Sequence, residues 1–186
     1  GQTKTALEAY QNSLQSLVPT FVNDDLTSLP NLNQYCRSHR NLLRTLIAKA
    51  NTLGMAYLAQ EEIAGNNSNT VFETFDLAIE IAATLRRSYR AEGSQYFLAE
   101  ETRTLFDQAI KFSDQLYQQS KEQVYLEKML FYIEKSQAPI LLQNHLASTG
   151  ESMGGVPEAL IQKEKQLAID LVFYKNQQAK AKEKGD

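Results

Sequence analysis

The sequence predicts an all-α fold, about six helices arranged as antiparallel hairpins in a single domain. Three observations carry that expectation. Turn formers are scarce, with eight Gly and four Pro in 186 residues, roughly half the usual share. Apolar residues recur at three- and four-residue spacing through long windows, the signature of amphipathic helices. No stretch shows the two-residue alternation of a half-buried strand.

The first helix is predicted over 2–18, with Ala6, Leu7, Tyr10, Leu14 and Leu17 on one face and Pro19 as its stop. Residues 19–32 read as a loop. The second helix is predicted over 33–63, striped by Leu42, Leu43, Leu46, Ala50, Leu53, Tyr57 and Leu58. Gly65 to Asn69 break the pattern. The third is expected over 70–91, on Phe72, Phe75, Ala78, Ile79, Ala82 and Leu85, with Gly93 as a C-terminal cap. The fourth is expected over 94–119, with Ser94 as N-cap and a wide stripe that includes Leu98, Leu105, Phe106, Ala109 and Phe112. The fifth is expected over 121–147, kinked at Pro139. After a Gly-rich loop at 148–156, Pro157 opens a sixth helix over 157–183, on Leu160, Leu167, Leu171 and Tyr174. The domain 1–186 therefore divides into a partial repeat and loop (1–32), two hairpins (33–91 and 94–147) and a C-terminal helix (157–183).

Composition excludes several classes. Hydrophobic residues make up 42%, enough for a core, and no run approaches the ~18 apolar residues of a spanning helix. Nineteen basic residues against 22 acidic leave a net charge of −3, unlike the basic footprint of nucleic-acid binders. One Cys precludes an intrachain disulfide, and two His preclude a His-rich metal centre. The chain begins Gly1-Gln2-Thr3 without a basic, then apolar, leader, so it reads as an excised piece of a cytoplasmic protein. Asn66-Asn67-Ser68 matches a glycosylation acceptor but reads as a polar loop.

Leu53-Gly54-x-x-Tyr57, followed by Val71, Phe75 and Ala78, has the spacing of a tetratricopeptide helix pair. In that pattern Gly54 admits the paired helix and Tyr57 fills the space beside it. Residues 79–98 (IEIAATLRRSYRAEGSQYFL) add a longer likeness, with Leu105 to Ile110, Leu116-Tyr117, Tyr125 to Lys128, Phe131, Glu134 to Ser136 and Ala138. Over 40–175, and most closely over 85–142, the chain resembles the helical region of CHAT-domain proteins. These mostly bacterial proteins join tetratricopeptide-like repeats to a C-terminal caspase-like domain. Gln137 departs from the pattern, where a basic residue is usual, and Pro139 follows it. The resemblance implies a tetratricopeptide-like right-handed superhelix without catalytic residues of its own, the catalytic His and Cys belonging to a domain that this fragment lacks.

Candidate chemistry is sparse. Cys36-x-x-His39 is a nucleophile–base pair by type, and on a helix the two would share a face. No orienting group or oxyanion hole accompanies it, so both read as ordinary helix residues. Arg37, Arg40 and Arg44 form a basic stripe suited to an acidic protein surface or to local ion pairs; Arg86, Arg87 and Arg90 form another. Glu134 and Lys135 are expected to tie helices together. The adjacent carboxylates Asp24-Asp25, Glu61-Glu62 and Glu100-Glu101 do not face each other on a helix and make poor acid–base or metal pairs. Gly154-Gly155 lacks the Lys and Ser/Thr of a nucleotide loop.

In the repeat register, Ala48, Asn51, Met55, Leu58 and Ala59 face a groove. Without a Lys/Asn clamp, this set suits a hydrophobic peptide or the missing C-terminal domain. The expected function is a non-enzymatic protein-interaction or regulatory module with a protein partner and no cofactor, metal, nucleic acid or membrane. The exposed ends of such an array suit a homodimer. The alternative is a structural spacer or oligomerisation scaffold with no specific ligand.

Overall fold

The computed structural model describes residues 1–63, 65–88, 92–137 and the isolated positions 163, 166, 167 and 170. The side chains of 87, 88, 92–97, 99 and 100 are not among those described. Among the described residues the regular structure is α-helical, with no strand. The helices are α1 (Gln2–Leu17), α2 (His39–Leu58), α3 (Ser68–Ser88), α4 (Glu92–Ser120) and α5 (123–137). Of the expected sixth helix only residues 163, 166, 167 and 170 are described, all helical, while the loop at 148–156 and the Pro139 kink lie outside the described residues.

α1 ends where expected. Val18 leaves the helical region at φ −122° while its N–H still reaches Leu14 O at 2.8 Å, and Pro19 cannot continue the ladder. Leu7, Gln11 and Leu14 form the buried face.

α2 is shorter than predicted at both ends. Residues 31–37 fold into side-chain-closed turns instead of a helical start. Asn31 Oδ1 accepts from Asn33 N at 3.0 Å, and Gln34 Oε1 accepts from Asn31 N at 3.1 Å. Such local bonds compete with the helical ladder. The N-cap is Ser38, whose Oγ accepts from Asn41 N at 3.3 Å. At the other end, Gln60 takes a left-handed φ of 57°. Glu61 N then donates to Ala56 O at 2.9 Å and Gln60 N to Tyr57 O at 3.0 Å, a Schellman closure made without glycine.

α3 is capped by Asn67, whose Oδ1 accepts from Thr70 N at 3.0 Å. Gly93 and Ser94 were expected to cap flanking helices, but both lie inside the first turn of α4. α4 ends at Lys121, another left-handed residue (φ 60°), whose N–H reaches Tyr117 O at 2.8 Å.

α1 and α2 are antiparallel. Ser13 pairs with Thr45 at 3.2 Å, Gln11 with Lys49 at 2.7 Å, and Leu17 O accepts from Arg37 N at 2.9 Å, in opposed order along the two segments. α2 packs most extensively on α3. α2 and α4 run parallel, since Arg40 and Arg44 meet Glu101 while Gly54 and Tyr57 meet Phe112. Successive hairpins therefore stack with like helices side by side.

Gly54 admits a close approach, but its nearest neighbour is on α4 and not on the paired α3 that its spacing implied. A Cβ there would stand 3.2 Å from Phe112 Cδ2 and 3.5 Å from Val71 Cγ1. Phe112 is the centre of the core, with ring centroids 5.3 Å from Phe72, 6.2 Å from Tyr57 and 6.3 Å from Phe75. Three buried hydroxyls, Thr74, Thr102 and Ser113, donate to the carbonyl four residues back at 2.7–2.8 Å, so none is left unsatisfied.

The long connection at 18–38 is held down by side chains. Asp25 Oδ1 accepts from Thr27 N at 2.8 Å and Thr27 Oγ1 at 2.7 Å, bonds that hold its carboxyl below the usual range. Buried Thr27 in turn meets Gly65, which sits at φ +76°, where a Cβ would lie 2.8 Å from Thr27 Oγ1. Gly65→Ala should therefore cost about 1–2 kcal/mol for the left-handed backbone plus about 1–3 kcal/mol of overpacking. Urea denaturation of the single and the Gly65→Ala/Thr27→Ala chains checks this. The double variant should recover the overpacking part alone.

Candidate functional site

Of the groove residues, Ala48, Asn51, Met55 and Leu58 lie along one stripe of α2, and Ala59 is its C-cap. Ala48, Asn51 and Leu58 are half-buried and Ala59 is exposed. Met55 is 57% exposed, although the helix is buried elsewhere by α1, α3 and α4. The stripe ends at an open cleft of about 380 Å³ lined by Tyr57, Leu58, Gln60, Glu61, Asn66 and Gln119. Asn66 is fixed there by its Nδ2 donating to Leu53 O at 3.1 Å. The left-handed turn at Gln60 sets Gln60 and Glu61 at the mouth of this cleft, and sequence spacing could not supply that placement.

The structure divides the basic stripe. Arg37 precedes α2 and its backbone N–H is spent on Leu17 O, so it does not share a helix face with the others. Arg40 and Arg44 converge on Glu101 of α4 instead. Arg44 Nε and Nη2 both lie 2.6 Å from Glu101 Oε1, and Arg40 Nη2 lies 3.5 Å from it. The pair closes the stacking of α2 on α4, with Glu101 largely covered. Arg86 is partly buried, which lowers its pKa; the side chains of Arg87 and Arg90 lie outside the described residues.

Cys36 and His39 do not form a helical pair. Cys36 lies in the connection before the Ser38 cap, half-buried against the core, and His39 is the first residue of α2. Glu134 and Lys135 are both exposed. The residues that tie α5 to α3 are instead Lys128 and Tyr132. Lys128 Nζ donates to Asp76 Oδ2 and Tyr132 Oη to Asp76 Oδ1, each at 2.9 Å. Burial, then the Asp76 charge, raises the Tyr132 pKa. Lys128 also lies 5.4–5.9 Å from the ring centroids of Phe72, Phe131 and Tyr132, a cation over aromatic faces.

The most unusual polar group went unremarked in the sequence. Lys49 is fully buried between α1, α2 and the 18–38 connection. Its Nζ donates to Gln11 Oε1 and to Ser28 O, both at 2.7 Å. Gln11 passes the network on, donating from Nε2 to Asn23 O at 2.7 Å. Burial pushes the Lys49 pKa down to about 8, and the Asp25 charge opposes that shift only weakly. The apolar stripe contained the signal, because Lys49 stands beside Ala50, between Leu46 and Leu53.

Among the described residues no three His, Cys, Asp or Glu side chains gather as metal ligands, and no helix is long and apolar enough to cross a membrane. The arrangement sets apolar and amide groups along one face with a carboxylate at its end. No protein-family model, curated protein or solved structure matches this chain.

Proposed function

We propose that the chain is a non-enzymatic protein-interaction module, the tetratricopeptide-like region that precedes a CHAT caspase-like domain in a bacterial cytoplasmic protein. The observation that carries this reading is the α2 stripe from Ala48 to Ala59, open at Met55 on a helix otherwise enclosed on its other sides. A fixed helix face with an exposed thioether suits a partner that brings apolar side chains. The parallel stacking of α2 and α4 and the Gly54–Phe112 contact support a hairpin-repeat scaffold. Glu101 engages Arg40 and Arg44, which favours the apolar stripe over the basic one as the contact surface. Binding there would bias access to the protease-like domain.

The test begins with the source gene beyond the Asp186 codon. A strand-rich continuation with one His and a downstream Cys is expected, and a stop codon shortly after Asp186 would overturn the reading. In the intact protein, Met55→Asp should keep the melting temperature within about 2 °C, since an exposed substitution changes stability little. It should change protease activity or weaken partner binding at least tenfold. An intact Met55→Asp protein with wild-type activity and binding would remove the stripe from the mechanism.

A further inference from the structure

The cleft at the end of the α2 stripe holds a carboxylate, a phenol and three side-chain amides, and no basic side chain lines it. Among the described residues, the side chains of Gln60, Glu61 and Gln119 make no hydrogen bond or ion pair. Asn66 is different. Its Nδ2 is spent on Leu53 O, and its backbone N–H donates to Ile63 O at 3.0 Å. Its Oδ1 is covered and meets no donor, a costly state for a buried acceptor. The backbone on both sides is pinned, at the Gln60 turn and at Asn66, so the cleft exists before anything enters it. Lys121, two residues beyond Gln119, is engaged elsewhere. Its Nζ donates to Gln118 Oε1 at 2.7 Å and lies 5.3 Å from the Tyr117 ring centroid.

We infer that this cleft seats the guanidinium group of an arginine carried by a protein partner. The inference rests on the reading of the α2 face as a contact surface, and it names the group that the partner brings to the polar end of that face. Glu61 draws a cation, because among the described residues no basic side chain pairs with it. Several acceptors are on offer, the Glu61 carboxylate, the Asn66 Oδ1 and the amide oxygens of Gln60 and Gln119. A guanidinium matches such a set with five N–H donors in one plane, whereas an ammonium is a compact point charge. Gln60 and Glu61 are exposed, so their side chains turn toward an incoming group within nanoseconds and without disturbing the backbone. Tyr57, whose ring meets Phe112 edge-on at 6.2 Å, supplies an aromatic wall of the kind guanidinium groups stack on. The volume of about 380 Å³ stands near the lower end of small-ligand sites, roughly 300–1,000 Å³, a space for one side chain and not for a helix.

The test titrates N-acetyl-arginine amide into the 186-residue chain at fixed ionic strength, with N-acetyl-citrulline amide as the neutral isostere. Backbone amide shifts of Glu61, Asn66 and Gln119 are followed by NMR. The arginine amide should saturate them with a dissociation constant on the order of millimolar, and it should bind at least tenfold more tightly than the citrulline amide. Glu61→Gln should weaken it at least tenfold, and Gln119→Lys should abolish it by placing a cation in the cleft. Glu62→Gln removes the adjacent exposed carboxylate, which does not line the cleft, and should change binding less than twofold. All three positions are exposed, so the variants should melt within about 2 °C of the native chain. Shifts that do not saturate, equal binding of the citrulline amide, or equal losses from Glu61→Gln and Glu62→Gln would each overturn the inference. The first two of these are read on the unaltered chain. The probe needs no partner, so its failure strikes the arginine seat alone, whereas a silent Met55→Asp strikes the α2 stripe.

Discussion

Phe112→Ala should destabilise the protein by about 3–5 kcal/mol, the range for truncating a buried aromatic. Phe112 is where three helices meet, with its ring against Tyr57 of α2, Phe72 and Phe75 of α3, and the bare backbone of Gly54. Removing it opens a cavity that these neighbours cannot fill without moving whole helices. A domain of this size has about 5–15 kcal/mol in all, so the loss approaches half the total. Urea unfolding followed by circular dichroism measures it, with Val22→Ala on the surface as a control within about 0.5 kcal/mol. Gly54→Ala, costly alone through its 3.2 Å approach to Phe112, should become nearly neutral in the Phe112→Ala chain. Additive losses would mean that the two do not share one contact.

The second large effect is a dependence on pH set by Lys49. Its folded pKa of about 8 lies below the ordinary 10.5, so between those values the unfolded chain binds more protons than the folded one. Stability must then rise with pH across that window. Between pH 7 and pH 10 the gain is about 2 kcal/mol at 1.36 kcal/mol per pKa unit. The reading should stop near pH 10. Tyr132 has a raised folded pKa, so its contribution is present below its ordinary value of 10 and is lost above it. Lys49→Met should flatten the profile, measured as the urea midpoint at fixed ionic strength. A wild-type slope of zero or of opposite sign would show that the amine is not held in the apolar interior.

Some of this was legible in the letters and some was not, for reasons that differ by residue. Pro19 stops α1 because it lacks an N–H, which is a property of one residue. Gly54 announced a close helix contact because no other residue leaves that space. Gly93 misled, because a glycine signals a cap only when the backbone is left-handed, and here it sits in the first turn of α4. Gln60 was missed for the converse reason, since it takes the left-handed position without being glycine. The loop extends past residue 32 because Asn31, Gln34 and Ser38 close turns through side chains that compete with helix formation. The Arg40–Arg44–Glu101 cluster joins positions some sixty residues apart, and nothing in the local spacing of either end points to the other. Helical period alone puts Ala48, Asn51, Met55 and Leu58 on one side of α2, but the exposure of Met55 depends on how the other helices pack.

Gln60 and Lys121 end the first helix of each hairpin in the same left-handed conformation, and neither is glycine. A side chain in that conformation costs about 1 kcal/mol or more, so both bends hold back stability that a glycine would release. The fold is thus tuned below its attainable rigidity at two equivalent corners. At the first of them the side chain kept in exchange is a wall of the cleft where the α2 stripe ends, so hardening that corner would also remove part of the surface.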